Sequence, residues 1–325
     1  MLADELTSAA LAFADAHGAG DAPLATGIAG LTVLRQRRPS ELRALVYEPV
    51  FCLVLQGAKQ VLVGDRPVVF DRMQSVIISF ELPTLARVVR ASPNEPYVAL
   101  ALRLDMAVLR ETAARMPDIP AGKSATGPVA LAAADAAIID AMHRLLGLVD
   151  RPEAAPILSP LIIREIHYWL LSAGHGAMLR ALMRADGHAA RIAAATARIR
   201  RDFRTPLRVG DLARDAGMST SAFHDHFKAM TATTPLQFQK QLRLIEARRL
   251  IVETGATVSS AAFAVGYESP TQFSREYARR FGAPPRADLK RRDQNGRASR
   301  AGGGSLESGK IDPAHGHQRL HGTAG

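Results

Sequence analysis

The chain has 325 residues, 47% of them hydrophobic, one cysteine and a formal net charge of +10. That length allows roughly two domains with real cores, and the single cysteine, Cys52, excludes an internal disulfide framework. Residues 1–190 hold 18 Lys/Arg against 19 Asp/Glu, residues 191–292 hold 19 against 9, and residues 293–325 hold 4 against 3, so the excess positive charge lies in one segment, as a polyanion-binding surface requires and a general solubilising charge does not.

The start, Met1-Leu2-Ala3-Asp4-Glu5, is acidic and lacks the order of a signal peptide. No apolar run approaches the roughly 20 residues of a membrane span. A cytoplasmic protein with no membrane partner is expected. Residues 1–20 read as an Ala-rich helix. Over 31–104, short β-branched and apolar runs (Val46 to Leu55, Gln60 to Val63, Ser75 to Phe80, Val98 to Leu104) alternate with turn signals at Gly64-Asp65-Arg66-Pro67, Leu82-Pro83 and Ser92-Pro93-Asn94. This pattern predicts an antiparallel sheet, sandwich or small barrel. Helices are then predicted over 105–116, 130–149, 159–172, 174–184 and 189–203, with Pro152, Pro156 and Pro160 breaking the chain before the third. Leu145, Leu146, Leu148, Ile157, Leu161, Ile162, Ile166, Trp169 and Leu170 offer apolar surface for packing on the sheet or for a dimer.

One pattern occurs twice near the C-terminus. The first copy runs from Val209 through Asp211-Leu212-Ala213 and Gly217-Met218-Ser219 to Phe223, Phe227 and Pro235. The second runs from Val258 through Val265-Gly266-Tyr267 to Phe273, Tyr277 and Pro284-Pro285. Each reads as helix, glycine turn, helix, the helix-turn-helix pattern. Ser219 and Ser269 are suited to cap the second helices, with Pro270 at a first helical position. A long helix over 236–254, ended by Gly255, would space the two units. Beyond Arg292 the composition predicts a disordered tail.

Each residue turns a helix by about 100°. With Phe223 and Phe227 inward, Ser221, Asp225 and Lys228 face out, flanked by Ala222 and His224. With Phe273 and Tyr277 inward, Thr271, Arg275 and Ala278 face out, flanked by Gln272, Ser274 and Arg279. With Ser219, Thr220 and Pro270 at the helix starts, these are the candidate DNA contacts. Arg275 suits guanine and Gln272 adenine; Lys228 and Arg279 suit phosphates. Asp225 repels phosphate, and either accepts from a cytosine amino group or pairs with a nearby arginine. Single faces of this kind are often merely solvated, but two matched ones in a basic domain favour DNA.

These stretches resemble the AraC-type (AraC/XylS) transcription regulators. So do Arg243-Leu244-Ile245-Glu246-Ala247-Arg248-Arg249-Leu250 and Gln272-Phe273-Ser274-Arg275-Glu276-Tyr277, running on to Arg280-Phe281-Gly282-Ala283-Pro284-Pro285. Tyr47 to Lys59 and Ala91 to Tyr97 resemble the cupin-like N-terminal domain of one branch of that family. The resemblance implies a cupin-like antiparallel β-barrel with flanking helices over 1–190, an all-α domain with two helix-turn-helix motifs over 191–292 and a tail over 293–325. It implies an activator rather than a repressor, with promoter DNA, a small-molecule effector, RNA polymerase and a second copy of the chain as partners. Asp225 departs from the basic or neutral residue expected there.

No enzyme chemistry, cofactor or metal is expected. No histidine lies between His17 and His143, so the barrel lacks a cupin metal cluster. His224 and His226 are about 200° apart on their helix and cannot share a metal. His315, His317 and His321 lie in the tail. His167 and Trp169 read as core or interface residues. Phosphate loops and nucleophile elbows are missing. Cys52 is either a buried apolar thiol, as Phe51 and Leu53 suggest, or a sensor thiol for an electrophile or oxidant. An effector-independent DNA binder and a cupin enzyme fused to a DNA-binding domain are the competing readings.

Overall fold

A computed structural model describes residues 1–18, 20–117, 127–184 and 187–290; the tail predicted over 293–325 lies outside the described residues. The N-terminal part is built in three layers. Helix α1 (Leu2–Ala16) precedes nine strands: β1 (Leu24–Ala25), β2 (Leu31–Gln36), β3 (Arg43–Tyr47), β4 (Val50–Gln56), β5 (Ala58–Val63), β6 (Arg66–Phe70), β7 (Gln74–Ile78), β8 (Leu82–Arg90) and β9 (Tyr97–Arg103). Then come α2 (Met106–Arg115), β10 (Val129–Ala133), α3 (Ala136–Leu146), α4 (Ala155–Ser172) and α5 (Ala177–Met183).

The strands form two antiparallel sheets, β1-β2-β9-β4-β7-β10 and β3-β8-β5-β6. This corrects the barrel expectation: the sheets face each other as a sandwich, and among the described residues no ladder closes them into a cylinder. Their edges are blunted instead of joined, since β1 has two residues and β6 carries Pro67, which has no N–H to donate. Alternation assigns each side chain to a layer. Phe51, Leu53 and Leu55 of β4 and Val98, Leu100 and Leu102 of β9 face the helices, against Leu6 and Ala10 of α1, Ile138 and Leu145 of α3, and Ile166 and Leu170 of α4. Cys52 and Val54, with Tyr97 and Ala99, face Val61, Phe70, Ala86 and Val88 of the other sheet. The larger sheet is covered on both faces, which explains its nearly unbroken apolar runs.

The helix predicted over 130–149 is in fact β10 followed by α3. Alanine favours helix locally, but Val129 to Ala133 pair with Ile78 to Gln74 of β7, and tertiary pairing wins. The helix begins where Asp135 caps it, accepting from Ala137 N at 2.8 Å. The next helix starts at Ala155 rather than 159, with Pro156 in its first turn and Pro160 inside it. His167 is fully buried: Nδ1–H donates to Ile163 O at 2.5 Å, and Nε2 accepts from Asp105 N at 3.0 Å. Burial holds its pKa below the usual imidazole range, with the Ile163 bond acting against the shift.

The C-terminal part is helical: α6 (His188–Arg201), α7 (Val209–Asp215), α8 (Thr220–Thr231), α9 (Pro235–Arg249), α10 (Val258–Ala264) and α11 (Pro270–Phe281). The predicted long linker is α9, running on as a π-helical turn to Thr254 and stopped by Gly255 at φ 75°. Two small cores result. Ile192, Leu212, Phe223, Phe227 and Phe238 form one; Leu244, Ile251, Ala262, Phe273 and Tyr277 form the other. Phe203 packs against both.

Candidate nucleic-acid interface

The two units are built alike from like residues. In the first, Ser219 Oγ accepts from Ala222 N at 3.2 Å and starts α8. In the second, Ser269 Oγ accepts from Gln272 N at 3.3 Å, with Pro270 at the first helical position of α11. Phe223 and Phe227, then Phe273 and Tyr277, are wholly buried one turn apart. That spacing fixes which face of each helix is left outside. On α8, Thr220, Ser221, Asp225 and Lys228 are exposed, while Ala222 and His224 are half-buried. On α11, Thr271, Gln272, Arg275 and Arg279 are exposed, while Pro270, Ser274 and Ala278 are half-buried.

Not all of these side chains are free to turn outward. Ser274 Oγ donates to Pro270 O at 2.8 Å. Gln272 Nε2 donates to Glu276 Oε1 at 3.2 Å, and Glu276 also accepts from Lys240 Nζ and from Tyr267 Oη. Burial raises the Glu276 pKa, but these donors outweigh it and hold the carboxyl ionised. The arginine partner considered for Asp225 does not materialise: no ion pair reaches it among the described residues. His226 stacks on His188 of α6, ring centroids 4.2 Å apart. Among the described residues, no three of His, Cys, Asp and Glu are grouped to hold a metal.

The long helix clamps the units together. Arg243 of α9 donates through Nε to Phe203 O at 2.7 Å, through Nη1 to Gly266 O at 2.8 Å and through Nη2 to Arg204 O and Thr205 O. Gln239 donates to Phe203 O and Thr205 O as well. Gly266 has φ 89°, and a Cβ there would lie 2.1 Å from Arg204 O; only glycine fits this turn.

The helical part also docks on the smaller sheet. Arg200 of α6 pairs with Glu81, just before β8, at 2.5 Å and with Glu48, just after β3, at 3.4 Å. Val46 of β3 packs on the first unit's core. The β5–β6 turn touches the end of α8. Gly64, at φ 61°, abuts Ala232 O.

A cavity of about 250 Å³ opens between the two sheets. Leu34, Phe70, Ile78, Ala99 and Ala101 line it, along with Tyr47, Cys52, Lys59, Tyr97, Glu48 and Arg103. Lys59 Nζ lies 5.4 Å from the Tyr47 ring centroid. Burial pushes the Cys52 thiol up to about 11, with Lys59 acting weakly the other way. Cys52 is therefore a thiol at neutral pH, which favours the apolar reading over the sensor one.

Two family descriptions match this architecture segment by segment. "AraC-type transcriptional regulator N-terminus" covers residues 27–178, and "Helix-turn-helix domain" covers residues 212–291. The chain belongs to the AraC/XylS family. Among curated relatives, the HTH-type transcriptional regulator CdhR of Pseudomonas aeruginosa is 29% identical over 169 residues, 50% of this chain and 47% of its own length. A putative AraC-like transcription regulator of Streptomyces lividans is 35% identical over 94 residues, 29% of this chain and 31% of its own. The chain spans about half the length, or less, of the curated relatives it matches. Among solved structures, ToxT of Vibrio cholerae O395, bound to (E)-4-(8-methylnaphthalen-1-yl)but-3-enoic acid, superposes with a TM-score of 0.52 at 10% identity, covering 80% of this chain and 97% of that one. That likeness is one of fold. Sequence reasoning did not single out Lys59, which lines the cavity, Arg200, which bridges the two parts, or Arg243 and Glu276, which tie the helical units together. Lys59 closes the Tyr47–Lys59 stretch, but only the packing of one sheet on the other sets it across from β4 and β9. The partners of Arg243 lie 23 to 40 residues away, and no local signal marks them.

Proposed function

We propose that the chain is a sequence-specific DNA-binding transcription regulator, an activator answering a small effector. The observation that carries this reading is the pair of capped helices, α8 and α11, on one rigid frame, each exposing a small, polar or basic face. Arg275 and Gln272 read bases, and Lys228 and Arg279 hold phosphates, with Ser219, Thr220, Ser221, Ala222, His224, Pro270, Thr271 and Ser274 around them. Asp225, unpaired on the same face, selects for a cytosine amino group and against other contacts. Freeing Gln272 for adenine requires it to leave Glu276, which Lys240 and Tyr267 still satisfy. The working division is 1–190 for effector binding and dimerisation, 191–292 for DNA and 293–325 as a tail. The effector sits between the sheets and biases how the helical part docks, which requires it to bind one arrangement more tightly than another.

RNA polymerase and a second copy of the chain complete the set of partners, and the protein works in the cytoplasm without enzymatic activity. Support for self-association lies on α4, where Ile157 and Leu161 are 70% and 61% exposed and clefts of about 540 and 420 Å³ lie alongside. The test is selection of genomic fragments of the source organism by the purified protein at near-physiological salt. The expected result is a motif of two short elements about one helical turn apart. Binding without an enriched motif, lost on modest addition of salt, would refute sequence-specific regulation.

A further inference from the structure

We propose that a second ligand site lies between α2 and α5, a cleft that binds a small phosphate-bearing anion, a phosphomonoester or diphosphate, between the guanidinium groups of Arg110, Arg180 and Arg184. It shares no residue with the cavity between the sheets, and it rests on the regulator reading only for its role, not for binding. The cleft holds about 190 Å³. Arg180 and Arg184 stand four positions apart at the end of α5, and Arg110 lines the cleft from α2. Arg180 is half-buried and fixed: its Nη1 donates to Leu171 O and to Ala173 O, the latter at 3.5 Å, carbonyls at the end of α4. Burial, then the neighbouring Arg184 charge, lowers the Arg180 pKa, so the two cations stand close enough to repel. Among the described residues, no carboxylate lines the cleft and none pairs with these arginines. Glu111 of α2 is taken by Arg164 at 3.0 Å, Asp105 accepts from the amides that start α2, and α5 contains no acid. Three cations therefore converge on one concavity with nothing to offset them, and such a concavity concentrates anions.

Geometry selects phosphate among the anions. A guanidinium is a planar fork that suits paired oxygens. A monocarboxylate brings two oxygens and a single charge to three such forks. A phosphate group brings about three acceptor oxygens and a charge of about −2. A cation is repelled, and a neutral guest leaves the charges where they were. Size sets the rest. Ala113, Met116 and Met183 give the cleft an apolar wall, which accepts a few carbons of an ester. Its volume lies below the roughly 300–1,000 Å³ of pockets for drug-sized ligands, so a whole nucleotide does not fit. Position gives the site a consequence. Helix α2 belongs to the N-terminal part, and α5 is followed by α6, the first helix of the DNA-facing part. An anion bridging α2 and α5 biases that junction, provided it binds one arrangement more tightly than another.

The test is calorimetric titration of the full chain with inorganic pyrophosphate and with acetate at equal ionic strength. Pyrophosphate should bind about tenfold or more tightly than acetate. Arg184→Gln and Arg110→Gln, both at exposed positions, should each weaken it about tenfold, with circular dichroism and Trp169 fluorescence reporting that the variants fold. Arg275→Ala, on the outward face of α11, should leave pyrophosphate binding unchanged. Undiminished binding in both glutamine variants would overturn the proposal, as would no binding at millimolar concentration. Loss in Arg275→Ala would overturn it by placing the anion on the DNA-facing surface. So would a fall in DNA affinity and in its salt slope in Arg184→Gln without pyrophosphate, which would make the cleft a contact for the DNA backbone. The two readings fail separately. Loss of motif selection with pyrophosphate binding intact sinks the regulator reading, and motif selection without pyrophosphate binding sinks this one.

Discussion

Replacing Gly266 by alanine should unfold the second helix-turn-helix unit while leaving the sheets intact. The glycine sits at φ 89°, a left-handed conformation that costs a residue with a Cβ about 1–2 kcal/mol. The added carbon would lie 2.1 Å from Arg204 O, 2.9 Å from its carbonyl carbon and 3.1 Å from Arg243 Nη2. Two of these are backbone atoms, so the 203–205 segment must retreat. Gln239 can still serve Phe203 O and Thr205 O, but the Arg243 bonds to Arg204 O and Gly266 O are lost. Each is a hydrogen bond from a charged donor, worth about 1.5–3 kcal/mol. The sum is about 4–8 kcal/mol against a typical domain stability of about 5–15 kcal/mol. Two probes separate the parts. Trp169, the single tryptophan, is in α4 of the N-terminal part, so its fluorescence follows that part, whereas circular dichroism follows all helices. In urea, Gly266→Ala should bring an early helical loss with the fluorescence midpoint unmoved. Gly210→Ala, where a Cβ meets nothing within 4 Å, should change neither. A Gly266→Ala helical midpoint within about 1 kcal/mol of the parent would refute the reasoning.

Arg275→Ala should weaken binding to the selected DNA by about 1–3 kcal/mol and relax preference at one base position, whereas Lys228→Ala should weaken all sequences alike and reduce the salt slope by about one; fluorescence anisotropy across a salt series distinguishes the two. Burial lowers the pKa of both His167 and His175, so as pH falls below the usual imidazole range the unfolded chain takes up protons that the folded chain refuses. Stability is therefore retained above about pH 6.5 and declines toward pH 5, and the slope of melting temperature against pH should shrink in His167→Gln. Ala232 ends α8 at φ 60°, where Gly282 ends α11 at φ 75°; Ala232→Gly should stabilise the first unit by about 0.5–1 kcal/mol in urea denaturation.

The helix-turn-helix units were legible because their signals are local. A capping serine, a turn glycine and two aromatics one turn apart each act within a dozen residues. The sheet region was legible as strands, but whether those strands close into a barrel depends on pairings such as β2 with β9, some 70 residues apart, and the sandwich emerged only in three dimensions. Val129 to Ala133 misled for the same reason: an alanine-rich stretch prefers helix until a strand edge is offered to it. Alternation along β4 would assign Cys52 and Val54 to one face, but not what lies opposite. Lys59 gains meaning only when β5 is set across from β4 and β9. Among the outward residues, sequence could list Gln272 and Ser274 but not that Glu276 and the Pro270 carbonyl already hold them.

How the cavity could influence the DNA-facing helices is a question of magnitude. Useful allosteric coupling is about 1–3 kcal/mol. The Arg200 pairs involve side chains 37% exposed on the arginine, 53% on Glu48 and 23% on Glu81, and part-exposed ion pairs are worth about 0–1 kcal/mol each. They reach only the lower end of that range. The packed contact is the better transmitter. Lys59 lies on β5, whose far end turns at Gly64 against Ala232, so a shift of that one strand bears on the end of α8. Gly64 is held at φ 61°, and a Cβ would lie 3.1 Å from Ala232 O, so Gly64→Ala strains the turn and presses it against the end of α8. Gly64→Ala should therefore separate the fluorescence and circular dichroism transitions further than Arg200→Met does. The opposite ranking would mean that the ion pairs, and not the hairpin, carry the connection between the two parts.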